Sequence, residues 1–122
     1  MDFSIEFYET PAGGSPVQEF LEELKQSDPG IHAAVLRGLS KLRDSQCHRE
    51  PLSKAQGDGL FELRHLGKLN TRLLWFFAKG RRIIVVHSIR NKGQAISTRD
   101  LHTAHGRRSN WLKASKNEED KL

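Results

Sequence analysis

Residues 60–89, LFELRHLGKLNTRLLWFFAKGRRIIVVHSI, decide the fold. Runs of β-branched, aromatic and aliphatic residues at Leu60–Leu66, Thr71–Phe77 and Arg82–Ile89 read as three strands, with turns at Gly67-Lys68 and Lys79-Gly80. Connections this short require antiparallel pairing. Both alternating faces of the last two strands are largely apolar, so each side of the sheet needs cover, one side from helices elsewhere in the chain.

Those helices lie upstream. Phe3, Ile5 and Phe7 alternate with Ser4, Glu6 and Tyr8 and predict a first strand. After the turn residues Thr10 to Gly14, Ser15-Pro16-Val17-Gln18 reads as an N-cap, a proline at the first helical position and a capping-box glutamine. Val17, Phe20, Leu21 and Leu24 form the apolar stripe of the helix begun there. Ser27-Asp28-Pro29 ends it and starts another, whose Ile31, Val35, Leu39 and Leu42 keep helical spacing, so the two make an αα-hairpin. Asp44 to Gly59 reads mostly as loop, with at best a short extended piece at Pro51-Leu52. Ser97 to Asp100 reads as a second capping box, opening a C-terminal helix toward Arg108 or Trp111. The result is a small α+β fold in one domain spanning residues 1–114, with a flexible tail at 115–122.

A hydrophobic content of 36% against 29% charged residues describes a soluble domain, and no apolar run approaches the length of a membrane span. Without a basic and then apolar leader the chain is read as cytosolic. Cys47 is the only cysteine, which rules out an internal disulfide and disfavours a cysteine-based zinc site. The net charge of +5 is uneven. The first thirty residues hold seven acids against Lys25 alone, whereas residues 31–117 hold eighteen Lys and Arg against five acids. That distribution suits a polyanionic partner such as RNA or DNA.

The three strand segments each carry or end in a cation with no obvious partner: Arg64, Arg72, and Arg90 with Lys92. An arginine on a strand also serves simply to solvate the outer face of a half-buried sheet. Six histidines include one helical i, i+3 pair, His102 and His105, without a third ligand at familiar spacing. The glycine pairs lack the length and the Lys-Ser/Thr of a phosphate-cradling loop. Acids are too scarce in the basic region for a carboxylate-bound two-metal nuclease. No cofactor is therefore expected.

Metal-free cleavage of RNA fits what is left, because the 2′-OH of the substrate can itself attack the adjacent phosphorus. Such an enzyme needs a base, an acid and cations that fork onto phosphate oxygens, and Arg64, Arg72 and Lys92 offer that set. Glu62 either joins it or only pairs with Arg64, and His87 either joins it or is a satisfied core or edge residue.

Tyr8-Glu9-Thr10, Gly14 to Leu21, Gly59 to Arg64, Arg72, and His87 through Lys92-Gly93-Gln94 together resemble the HigB-like, phage-derived branch of the RelE/ParE toxin superfamily. The resemblance runs nearly to Trp111. It implies a small curved antiparallel sheet packed on an αα-hairpin with a C-terminal helix. It also implies a type II toxin that acts as a ribosome-dependent mRNA endonuclease, held inactive by an antitoxin with a helix-turn-helix domain. Carried over by motif position, Arg64 and Arg72 would stabilise the scissile phosphate, and Lys92 would bind phosphate or transfer a proton. Arg90 would bind RNA backbone, and Arg81, Arg82, Arg107 and Arg108 either add sequence-independent attraction or keep the surface soluble. Two places depart from the family. Ile89-Arg90-Asn91-Lys92 stands where relatives show an aromatic residue and two adjacent lysines, and Ile96-Ser97 stands for Thr-Pro. A ParE-like poison of DNA gyrase shares the fold and acts by binding, and a phage-derived binding module without toxicity is the third alternative.

Overall fold

The computed structural model describes residues 2–48, 53–93 and 95–120. In chain order it contains β1 (Ser4–Phe7), α1 (Pro16–Ser27), α2 (Pro29–Lys41), β2 (Ser53–Gly57), β3 (Leu60–His65), β4 (Asn70–Ala78), β5 (Arg82–Asn91) and α3 (Thr98–Asp120). The five strands form one sheet in the order β1-β5-β4-β3-β2. Antiparallel pairing holds from β2 to β5, but β1 runs parallel to β5, so the curved sheet is mixed. No hairpin links β1 to β5, and the long connection through both helices leaves that direction free. Among the described residues no helix is long and apolar enough to cross a membrane.

Alternation along the central strands divides the core in two. Leu63, Leu73, Trp75, Ile83 and Val85 face α1 and α2, meeting Val17, Leu21, Leu24, Val35, Leu39 and Leu42. Leu60, Leu74, Phe76, Ile84, Val86 and Ile89 face the other way, toward Ala104 of α3 and Tyr8. Between Leu74↔His87 and Trp75↔Val85 the register shifts, leaving Val86 as an extra residue in β5. A bulge of this kind bends the strand and re-aims the side chains beyond it. The apolar stripe of α1 and the predicted spacing of α2 are both seen as buried faces.

The helix starts divide differently. Asp28 caps α2 through Ile31 N at 3.3 Å, and Ser97 caps α3, its Oγ accepting from Asp100 N at 3.1 Å and donating to Asp100 Oδ2 at 2.7 Å. The capping box expected at Ser15 is absent: its hydroxyl makes no cap hydrogen bond, and α1 begins instead on Pro16 and the Glu19 N–H bond to Ser15 O. A proline at the first turn already removes one orphan donor and sets φ. Helix α3 continues past Trp111 to Asp120. The segment read as loop before Gly59 contains β2, an edge strand whose Lys54-Ala55-Gln56 carry too little apolar character to signal one. Pro51-Leu52, the expected extended piece, lies outside the described residues.

The β2–β3 turn is clamped onto α3. Arg108 Nη1 donates to Asp58 O at 2.6 Å, and its guanidinium lies over the Phe76 ring. Gly59 adopts φ +82°, and a Cβ there would meet that guanidinium at 2.8 Å. Gly57 has a similar φ of +84° with open space around it. Gly57→Ala should therefore cost only the left-handed backbone strain, about 1–3 kcal/mol. Gly59→Ala should cost that plus the Arg108 clamp. Urea unfolding of the two variants, and of each in an Arg108→Ala background, measures the difference, which should disappear when Arg108 is absent.

Candidate nucleic-acid interface at the β3–β4 edge

Arg64 and Arg72 stand directly opposite each other in the antiparallel β3–β4 pair, and Ile89 continues the row on β5. All three therefore point to the face that α3 covers. Glu62 lies two residues back on the same face. Its carboxylate is 3.0 Å from Arg72 Nε and 3.7 Å from Arg64 Nε, and it accepts a 2.8 Å hydrogen bond from Gln56 Nε2 of β2. Glu62 and Arg72 are 3% and 2% exposed, whereas the Arg64 side chain keeps 21% of its surface in water. One buried acid thus organises two arginines, of which one reaches solvent.

Lys92 follows β5 in an exposed loop, and this loop is tied to the same cluster. Arg72 Nη1 and Asn70 Nδ2 both donate to Gly93 O, at 3.2 and 2.9 Å, while Gly93 N donates to Asn91 Oδ1 at 3.1 Å. Arg64, Arg72 and Lys92 are brought to one end of the sheet, with Arg72 underneath. Guanidiniums that hold a carboxylate present the same donors to phosphate oxygens. Gln94, the last residue of the Lys-x-Gln motif, lies outside the described residues.

The remaining cations are placed elsewhere, and the reading of strand cations without partners does not survive. Arg90 pairs across β4 with Thr71, so it points to the hairpin face, opposite Arg72, and donates to Asp28 Oδ2 at 2.8 Å. Arg82, at the far end of β5, forks onto Glu6 and lies over the Trp111 ring. Arg81 is exposed in the β4–β5 turn, with its guanidinium over Phe3. Arg107 Nη1 donates to Val86 O at 2.8 Å, and Arg108 holds the β2–β3 turn. These five arginines bind the fold together before they offer charge to a partner.

His87 has both ring nitrogens engaged. Arg107 Nη1, which can only donate, lies 3.1 Å from Nδ1, so Nε2 carries the hydrogen toward Asp100 Oδ1 at 2.8 Å. The imidazole bridges β5 to the first turn of α3 with both nitrogens partnered. Gln56 and Asn70 were not singled out by the sequence, and Asp100 only as part of a capping box. Gln56 sits in a segment with a loop's composition, and the other two reach the cluster and His87 through contacts more than ten residues away.

Three carboxylates titrate below their usual range. A hydrogen bond from Arg82 lowers Glu6, one from Arg90 lowers Asp28, and one from His87 lowers Asp100. Because the folded values are depressed, the stability they contribute is present above the unfolded carboxylate values near 4 and is lost as pH falls through the folded ones. Thermal melts should be flat from neutrality to about pH 5 and decline below about pH 4. Asp100→Asn should lower the neutral plateau and make the acid decline shallower; an unchanged slope would remove Asp100 from the account.

No curated protein matches the chain. The family described as Phage derived protein Gp49-like (DUF891) matches residues 22–109, well over half of the sequence and including the whole β3–β4 cluster and the Lys92 loop. With its RelE-like fold, the chain therefore belongs to the Gp49-like phage-derived family, a family of RelE/HigB-like toxins.

Proposed function

We propose that this protein is the toxin of a type II toxin-antitoxin pair, of the HigB-like branch, and that it cleaves mRNA on the ribosome without a metal. The observation that carries this reading is the cross-strand pair Arg64–Arg72 sharing Glu62, next to the loop that bears Lys92. In the reaction the substrate's 2′-oxygen attacks phosphorus and the P–O5′ bond breaks, leaving a 2′,3′-cyclic phosphate and a 5′-OH end. The 2′-OH gives up its proton, and the departing 5′-oxygen gains one. Arg64 forks onto the phosphate, and Lys92 binds it or carries a proton. Arg72 completes the set when RNA displaces the Gly93 carbonyl. Arg81, exposed, adds sequence-independent attraction. The chain would work in the cytoplasm and need no cofactor. Its neutralising partner would be an antitoxin with a helix-turn-helix domain, which alone would touch DNA.

The burial of Arg72 favours a second reading, a ParE-like inhibitor of DNA gyrase that acts by binding, since a residue 2% exposed does not meet substrate as it stands. Inducing the chain in bacteria with and without Lys92→Ala, and mapping RNA 5′ ends, separates the two. New 5′-OH ends on translated messages from the parent chain, reduced by about 10²-fold or more in the variant, are expected. Growth arrest without such ends, and with DNA breakage that Lys92→Ala leaves intact, would assign the protein to gyrase.

A further inference from the structure

On the other face of the sheet a groove of about 230 Å³ opens between α2 and the β3–β4 pair. Its apolar walls are Val35, Leu63 and Leu73, and Gly38 lets α2 approach so closely that a Cβ there would meet the Leu63 side chain at 3.2 Å. The rim is cationic: Arg37 and Lys41 are one helical turn apart on α2, both exposed, and His65 closes the strand side. Among the described residues neither Arg37 nor Lys41 has an ion-pair partner. Thr71, 1% exposed, also lines the groove, and its Oγ1 has no hydrogen-bond partner among the described residues. Buried hydroxyls are rarely left that way, and doing so costs free energy.

We infer that this groove is the docking site of a partner protein's segment in which one large apolar side chain is flanked by carboxylates. The inference rests on the reading of the chain as a toxin with a neutralising partner, and adds where and by what chemistry that partner is held. A cavity of about 150 Å³ holds a benzene ring, so this one takes a leucine- or phenylalanine-sized anchor. The two cations on α2 are spaced to meet acids on either side of it, and an uncharged or basic segment would leave both without a counter-charge. A polar group carried in with the anchor supplies the partner that Thr71 lacks. Arg64 also lines the groove, from the end of β3, so a docked segment borders the RNA candidate site there, whereas Lys92 is not among the lining residues. The partner would therefore hold the toxin from the hairpin side and meet that site at Arg64.

The test is selection of a phage-displayed random 12-residue peptide library on the full chain, followed by fluorescence anisotropy of the enriched peptide against variants. The expected consensus has one large apolar residue between Asp or Glu residues. Its binding should weaken about tenfold or more in Arg37→Glu/Lys41→Glu, which reverses the rim. A similar loss is expected in Ala34→Trp, which fills the groove from α2, where Ala34 is half-buried in its lining. Circular dichroism melts identify any variant that has merely unfolded, and the double charge reversal, wholly on the surface, keeps the test usable if Ala34→Trp does not fold. Enrichment of peptides lacking this pattern, or binding that survives the charge reversal, would overturn the assignment. If the parent chain cuts messages while no acidic-apolar peptide binds, the groove assignment falls and the toxin reading stands. Groove-dependent peptide binding by a chain that cuts no RNA gives the reverse result.

Discussion

Glu62→Ala should remove about 3–5 kcal/mol of stability, a large part of what a domain of this size possesses. The carboxylate is 3% exposed and faces Arg72, which is 2% exposed and permanently charged. Removing the acid leaves a guanidinium that can neither deprotonate nor reach water, with Arg64 nearby as a like charge. The Gly93 carbonyl offsets only part of that loss. Replacing both members, Glu62→Leu with Arg72→Met, should restore most of the stability, because a buried pair exchanged for apolar groups of similar volume is often neutral. Urea unfolding of the parent, the single and the double variant decides it. A double variant no more stable than Glu62→Ala would show that Arg72 matters through packing or its Gly93 bond rather than through Glu62.

The second large effect is on activity. Arg64→Ala should lower ribosome-dependent cleavage about 10²–10³-fold, the usual cost of losing one donor aimed at transition-state charge. Its melting temperature should move little, since this side chain is partly solvated and Glu62 keeps Arg72 and Gln56 as partners. Arg64→Lys should fall between, keeping a charge but losing the fork. Counting 5′-OH ends in a translating extract gives the rate, and circular dichroism gives the fold. Cleavage within about threefold of the parent would take Arg64 out of the site. Arg72→Ala is a poor substitute for this experiment, because it would unbalance the buried Glu62 and confuse folding with chemistry.

The difference between those two arginines marks where the sequence stopped being legible. Apolar runs bounded by turn residues at Leu60–Leu66, Thr71–Phe77 and Arg82–Ile89 and helical spacing from Val17 to Leu42 were enough for the α+β architecture, because strand-length runs between turns and a helix stripe are both local signals. β2 was not legible, since an edge strand needs only backbone partners and Lys54-Ala55-Gln56 carry no pattern. The direction of β1 was not legible either, being set by a partner met through a long connection. At the site, residue types suggested Arg64, Arg72 and Lys92, but not their burial. Whether Arg90 shared their face could not be read without the strand register, which, with its bulge at Val86, places Arg90 with Thr71, on the face of Asp28. For His87 the sequence left a site member and a satisfied residue both open, because its contacts with Asp100 and Arg107 are long-range.

The parallel seat of β1 against β5 also sets the order of assembly. β1, synthesised well before β5, pairs with Arg82 to Val85 and is fixed further by the Glu6–Arg82 fork and by the Tyr8 hydroxyl on Asn110. Loop closure over such separations comes late, after the local α1–α2 and β2–β5 contacts have formed. At roughly 5–20 residues per second, β1 waits several seconds of synthesis for its partner. During that interval Phe3, Ile5 and Phe7 are an uncovered adhesive edge on the nascent chain. A polar substitution at Ile5 should therefore lower the yield of chains caught in aggregates during translation, even though it weakens the finished fold.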